Sequence, residues 1–175
     1  REVDPAYELT AVAGAIYKRQ GKATLFHAVK DSCVPVISYA LANRAVIAKS
    51  LNMDPMRMTH QWSAREERKS PHTIAPNGTV QEVVEREPDL LKYPLCVHSE
   101  GNGGKYITGG AIIAKNPGGE TQNASFNRCQ LAGKNKLRLR MMPPQHLGLC
   151  FEACEKENRD MPCAIVIGAP PPLMY

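Results

Sequence analysis

Three short strand patterns joined by two tight-turn signals restrict this fold more than any other feature. Residues 106–114 are apolar and β-prone, Asn116-Pro117-Gly118-Gly119 breaks them, residues 121–131 resume, Gly133-Lys134-Asn135 breaks again, and residues 136–142 follow. Strands separated by three or four turn residues pair antiparallel with their neighbours, because a parallel pairing needs a long crossover. In the last run Leu137, Leu139 and Met141 alternate with Arg138 and Arg140, which predicts one apolar and one cationic face. Residues 145–156 then read as a helix with Leu147, Cys150, Phe151 and Cys154 on one stripe. Residues 161–168 read as a central strand, too continuously apolar to be half exposed. Strands with one covering helix predict an α+β domain with a β-barrel-like sheet.

The first half has a different rhythm. Asp4-Pro5 is a helix-start pair, and Leu9, Val12, Ala13 and Ile16 fall at helical spacing, so a helix of about four turns is expected to end near Gly21. Residues 23–29 read as a strand, Lys30-Asp31-Ser32 as a turn, residues 34–38 as a second strand and residues 39–51 as a helix, a β-α alternation. Asp54-Pro55 repeats the helix-start signal, and Arg65-Glu66-Glu67-Arg68-Lys69 reads as a solvated helix face. Beyond it Pro71, Pro76 and Asn77-Gly78 mark loop and turn, while Val80, Val83 and Val84 predict a short edge element. The expected organisation is a small α/β lobe over residues 1–70, a connecting segment over 71–94, and a second domain over 95–175.

Composition excludes several classes. A chain of 175 residues buries roughly 70% of its unfolded surface. With 43% hydrophobic and 22% charged residues it is neither disordered nor membrane-spanning in composition, and no apolar run approaches 20 residues. The net charge of +5 favours acidic ligands such as phosphates. Lys134, Lys136, Arg138 and Arg140 would give a nucleic-acid surface its charge, but the strand lacks interleaved aromatics, so no nucleic-acid partner is expected. The six cysteines show no zinc-ribbon spacing. Cys150 and Cys154, one helical turn apart, read as small core residues, which predicts a reducing, cytoplasmic setting. Arg1 in place of Met, and an end at Tyr175 soon after an apolar strand, predict a longer polypeptide. Gly101, Gly103 and Gly104 would cradle a phosphate or simply form a hairpin loop; they lack a nucleotide-binding fingerprint.

Chemistry concentrates in Asn123-Ala124-Ser125-Phe126-Asn127-Arg128 and in Gln145-His146. A carboxamide, a guanidinium and an imidazole brought together suit a phosphate, a hard cation and an anion. The alternative reading makes Asn123 a turn cap, Arg128 a solvated strand residue and His146 a residue that merely precedes a helix.

A wider pattern bears on that choice. Glu2-Val3-Asp4-Pro5-Ala6-Tyr7-Glu8-Leu9, Ala23-Thr24-Leu25-Phe26, Val34-Pro35-Val36, Tyr106-Ile107-Thr108-Gly109-Gly110, the run from Asn123 to Arg128, Gln145-His146 and Ala164-Ile165-Val166-Ile167-Gly168 occur in this order. In these blocks the chain resembles UbiD-like decarboxylases, a family that includes ferulic acid decarboxylases. The resemblance implies a split-barrel flavin-binding domain after the α/β lobe, with prenylated flavin mononucleotide as cofactor and manganese and potassium at its phosphate. Asn123 and His146 match two manganese ligands, residues 123–128 with Gln145 match positions lining the cofactor, and Arg128 matches the arginine that orients the substrate acid. The implied reaction is reversible decarboxylation of an aromatic or α,β-unsaturated carboxylic acid, releasing carbon dioxide.

Departures accompany the match. The family's catalytic glutamates and third metal-binding glutamate follow the strand near this chain's end, so a homo-oligomer, a partner subunit or further polypeptide would supply them. Asn116 stands where many relatives carry aspartate, and Ser125 and Asn127 replace a common glycine and tyrosine. Glu100 and Glu120 are the nearby carboxylates in sequence. The competing expectation is a flavin- or phosphate-binding module, or an assembly subunit, that keeps the fold without catalysing the reaction.

Overall fold

The computed structural model describes residues 1–68, 73–119 and 122–170. Helix α1 spans Glu8–Gln20 and buries Leu9 and Ala13. It starts later than the Asp4-Pro5 signal predicts. The Asp4 carboxylate accepts from Ala6 N at 2.7 Å and closes its own turn, and Tyr7, at φ 66°, precedes the first helical residue. At the other end Gly21 takes φ 63° and its N–H bonds Tyr17 O at 2.7 Å, a left-handed cap that suits glycine.

Strands β1 (Thr24–Phe26) and β2 (Val36–Ser38) pair antiparallel, Leu25 opposite Ile37. Both are shorter than the sequence pattern predicts. The helix expected from residue 39 begins only at Arg44, because Tyr39 sits at φ 58° and Asn43 accepts from Ala45 N at 2.8 Å as a helix cap. Helices α2 (Arg44–Ser50) and α3 (Met58–Glu66) therefore follow a hairpin, not a β-α alternation. Asp54 again forms a turn, accepting from Met56 N at 2.8 Å, and does not cap α3. Residues 65–68 are solvated as predicted, while Lys69 and Pro71 lie outside the described residues.

The expected edge element at Val80, Val83 and Val84 is absent among the described residues. Val80 sits in a single 3-10 turn at Thr79–Gln81, a second such turn follows at Leu90–Lys92, and the three valines are 73–86% exposed.

The predicted hairpin is present but bent. Its first arm divides into β3 (Tyr106–Ile107) and β4 (Gly110–Lys115), and its second into β5 (Gln122–Phe126) and β6 (Cys129–Gly133). Ile107 faces Cys129 and Ala111 faces Phe126, so residues 108–110 oppose residues 127–128, three against two. An unmatched residue of this kind bends a strand pair. The two halves of the hairpin accordingly join different sheets, β3-β6-β7 and β5-β4-β8, where β7 is Lys136–Leu139 and β8 is Cys163–Ile167. All these pairings are antiparallel.

Strand β8 corrects another expectation. Among the described residues it is an edge strand beside β4, with Ala164 and Ile167 exposed. An apolar run records what a strand is able to bury, not which elements of a chain cover it.

Helix α4 (His146–Lys156) lies against this sheet, burying Leu147, Gly148, Cys150 and Cys154, while Phe151 stays 39% exposed. Ile107, Ile112, Ala114, Cys129 and Leu147 form one core cluster, with Leu137, Leu139 and Met141 packed on it, so the apolar face of β7 and the residue beyond it point where the alternation predicts. Val3, Leu9, Ala13, Phe26, Val29 and Cys96 form a separate N-terminal cluster. The architecture is α+β, with antiparallel sheets split by the bent hairpin.

Candidate cofactor cleft

The bend and the start of α4 together create a cleft of about 360 Å³ between β5 and residues 144–147. The chain reaches α4 through a cis Pro143-Pro144 peptide, and Gln145 N bonds Met142 O at 2.9 Å. Gly148 permits the close approach of the helix to this turn. A Cβ there would lie 2.8 Å from the Met142 carbonyl carbon and oxygen and 2.9 Å from Pro143 N, backbone atoms that have no cheap way to retreat. A glycine at this place keeps the helix start beside β5.

Asn123, Ala124, Ser125, Phe126, Asn127, Gln145 and His146 all line this cleft, together with Pro144 and Leu147. Asn123 and His146, 23 positions apart in sequence, thus share one concavity. The Ser125 hydroxyl accepts from Asn123 Nδ2 at 3.3 Å and from Asn127 Nδ2 at 3.1 Å. With both NH₂ groups turned to Ser125, each carboxamide directs its oxygen elsewhere, an acceptor suited to a hard cation. Across the cleft, Gln145 precedes α4 without capping it by its side chain. The first amides of the helix have no intrahelical acceptor, and with the helix dipole they favour an anion at this end.

The donor set therefore consists of amide oxygens, one imidazole and helix N–H groups. Among the described residues no three His, Cys, Asp or Glu side chains gather into a metal cluster. The set fits a cation shared with a phosphate, with further ligands coming from outside these residues. It does not fit a metal held by the described residues alone.

Arg128 occupies a neighbouring place. It lies at the bend, one position before the Ile107–Cys129 pair, with its guanidinium carbon 5.3 Å from the Tyr106 ring centroid. The cleft lining stops at Asn127. A residue that sequence reading passed over stands beside it: His98, half buried, whose Nε2 lies 3.5 Å from the Thr108 hydroxyl. Burial, and secondly the Arg128 charge, hold the His98 imidazole below its ordinary range, with the Cys96 backbone pulling the other way. No local spacing signals this histidine, because the bend that brings it to Arg128 is a tertiary feature.

Other candidates find structural roles. Gln130 Nε2 donates to Gly103 O at 2.6 Å and closes the glycine loop, which takes no part in the cleft lining. Cys150 and Cys154 are buried core residues as expected. Glu100 is exposed, and Glu120 lies outside the described residues.

Comparison with known proteins identifies the family. Residues 1–66 match the N-terminal domain, and residues 72–175 the Rift-related domain, of 3-octaprenyl-4-hydroxybenzoate carboxy-lyase, UbiD. The chain is 32% identical over 176 residues to anhydromevalonate phosphate decarboxylase of Methanosarcina mazei, a match covering 99% of this chain and 39% of that protein. It is 29% identical over 188 residues to pyrrole-2-carboxylic acid decarboxylase of Pseudomonas aeruginosa, covering 97% and 38% respectively. Among solved structures it resembles an evolved dimeric form of the UbiD-class enzyme HmfF from Pelotomaculum thermopropionicum in complex with prFMN. That likeness has a TM-score of 0.89 at 30% identity, over 97% of this chain and 40% of the other. Vanillic acid decarboxylase of Sedimentibacter hydroxybenzoicus shares the fold, with a TM-score of 0.89 at 20% identity. The chain spans about two-fifths of the length of these relatives. With both domain models matched in order across nearly all its residues, the chain belongs to the UbiD family of carboxy-lyases.

Proposed function

We propose that this chain is the cofactor-binding portion of a prenylated-FMN-dependent decarboxylase acting reversibly on an aromatic or α,β-unsaturated carboxylic acid. The observation that carries the reading is the shared cleft: Asn123 and His146 reach it from β5 and α4, beside free helix amides. In this reading the Asn123 oxygen and a His146 ring nitrogen would hold manganese, with potassium accompanying it, at the flavin phosphate, and the helix amides would offset the remaining negative charge. Residues 124–127 and Gln145 form the wall beside the cofactor. When bound, the prenylated flavin supplies an electron sink for the pair left behind as carbon dioxide departs.

The protein's own part is orientation and charge. The planar fork of the Arg128 guanidinium matches a carboxylate, so it anchors the acid group from the bend next to the cleft. The Tyr106 ring beneath it restricts the guanidinium without consuming its donors. The proton donor and third metal ligand come from further polypeptide or a partner subunit, since among the described residues no carboxylate lines the cleft.

The test uses the natural polypeptide that contains this sequence, loaded with manganese and prenylated FMN. Asn123→Ala and His146→Ala are each expected to weaken flavin retention by at least about tenfold, the usual scale for disturbing a metal site, read from the bound-flavin absorbance after gel filtration. Normal retention in both variants rejects the reading. Normal flavin and metal content with no carbon dioxide release from any aromatic or unsaturated acid would favour a non-catalytic binding or assembly subunit instead.

A further inference from the structure

The bend carries a second arrangement, and its ties reach back to the N-terminal lobe. Residues 96–98 are fixed by backbone bonds on both sides. Val97 N donates to Pro5 O at 3.2 Å, and Val97 O accepts from Tyr7 N at 3.0 Å. Cys96 O accepts from Tyr106 N at 3.1 Å, and His98 O accepts from the Thr10 hydroxyl of α1 at 3.4 Å. The backbone of His98 is thus clamped between the start of α1 and strand β3. Its ring then meets Thr108, in the three-residue side of the bend, opposite the two-residue side that carries Arg128.

We infer that His98 is a positioning residue for Arg128: its imidazole, anchored through the N-terminal lobe, braces Thr108 and so fixes the bend that holds the guanidinium over Tyr106. The inference rests on Arg128 being the substrate-acid anchor for its functional meaning, but not for its test. Three features support it. The bend is the point where the hairpin register slips, so its geometry depends on side-chain support rather than on ladder hydrogen bonds. Arg128 lies exposed, and among the described residues no carboxylate pairs with it, so an ion pair does not hold it. The Thr108 hydroxyl and the Cys96 backbone, the other groups that the His98 ring meets, are neutral, leaving Arg128 as the charge that acts on the ring.

Burial and the adjacent guanidinium disfavour the imidazolium, which keeps the ring neutral near pH 7 and free to accept from the Thr108 hydroxyl. Arg128 then keeps its place as the charge that acts on the ring. The family resemblance assigns His98 no part in metal or flavin binding, and the cleft lining does not include it.

The deciding measurement needs neither substrate nor flavin. In the natural polypeptide, labelled with ¹⁵N, the order parameter of the Arg128 Nε–H bond is measured by relaxation for wild type, His98→Ala and His98→Gln. A rigid group gives about 0.85 and a flexible one below about 0.6. Wild type is expected near the rigid end, His98→Ala below about 0.6, and His98→Gln, which retains an acceptor of similar reach, close to wild type. The melting temperature of each variant is read in parallel, and manganese-dependent flavin retention is expected to stay within about twofold of wild type. An Arg128 that is already mobile in wild type, that stays ordered in His98→Ala, or that is as mobile in His98→Gln as in His98→Ala overturns the inference. Should flavin retention fail in wild type while the Arg128 result holds, the cofactor reading fails and the positioning role stands.

Discussion

The cleft and the bend occupy the same hairpin a few residues apart, yet they are built from opposite materials. The cleft gathers polar groups without a carboxylate or a fixed cation: the carboxamides of Asn123, Asn127 and Gln145, the Ser125 hydroxyl, an imidazole and a helix start. The bend presents one full positive charge on an aromatic ring, steadied by a half-buried histidine. Oriented dipoles suit a ligand that brings its own charges in balance, such as a phosphate with its cation. A lone guanidinium suits a monoanion. In the proposed reading, keeping the two apart would let one chain hold a charged cofactor without neutralising the group that is to meet the acid.

The sharpest way to break this division is at the helix start. Gly148→Ala places a methyl group 2.8 Å from the Met142 backbone, and the strain is expected to cost about 1–3 kcal/mol of stability. Because relief requires α4 to move away from the turn, flavin retention should fall together with stability. Urea denaturation and bound-flavin absorbance check both. If stability drops while retention is unchanged, the helix start does not shape the cleft.

A smaller effect is expected from the other side of the comparison. Arg128→Ala removes a cation–π contact at an exposed position, a loss of about 0.5–1 kcal/mol, and should leave flavin retention within about twofold of wild type. The same variant should abolish most of the affinity for benzoate as a probe carboxylate, measured by calorimetry on the loaded protein. A large loss of flavin in this variant would merge the two regions into one site.

Sequence was informative where chemistry is local and poor where it depends on the bend. The turn residues at 116–119 and 133–135 specify an antiparallel meander, and the alternation at Leu137, Leu139 and Met141 gives the correct inward face. Asn123 and His146 were legible as a pair because the residues around them resemble a family motif; their distance in sequence gives no hint of a shared cleft. Two aspartate-proline signals misled in the same way. Asp4 and Asp54 each spend their carboxylate on an amide two residues ahead, so the helices begin later than the cap pattern implies. The strand at Cys163–Ile167 looked central because its residues are apolar, whereas its neighbours decide its exposure. His98 was invisible for the most physical reason: the register slip of three residues against two that brings the bend to it is not encoded by spacing within either segment.

The finest test of the comparison is the pH dependence of stability, because it separates the charged corner from the cleft without any ligand. The folded-state pKa of His98 lies below its unfolded value near 6.5, burial being the larger cause and Arg128 the next. The unfolded chain therefore binds more protons than the folded one once pH falls toward 6.5 and below, so stability declines on acidification through that window and is regained above it. Asp4 and Glu8 act in a lower range. Hydrogen bonds from backbone N–H groups, chiefly those of Ala6 and Asp4 respectively, hold their carboxyls below the ordinary values, so their contribution is lost only as pH drops through about 4 and under. Urea midpoints measured between pH 5 and 7.5 should thus show a modest slope in wild type that flattens in His98→Gln, while Arg128→Ala, lacking the neighbouring charge, should retain part of it. An equal slope in wild type and His98→Gln would mean that His98 titrates alike in the folded and unfolded chains. The electrostatic distinction between bend and cleft would then vanish, even if the packing that holds Arg128 survived.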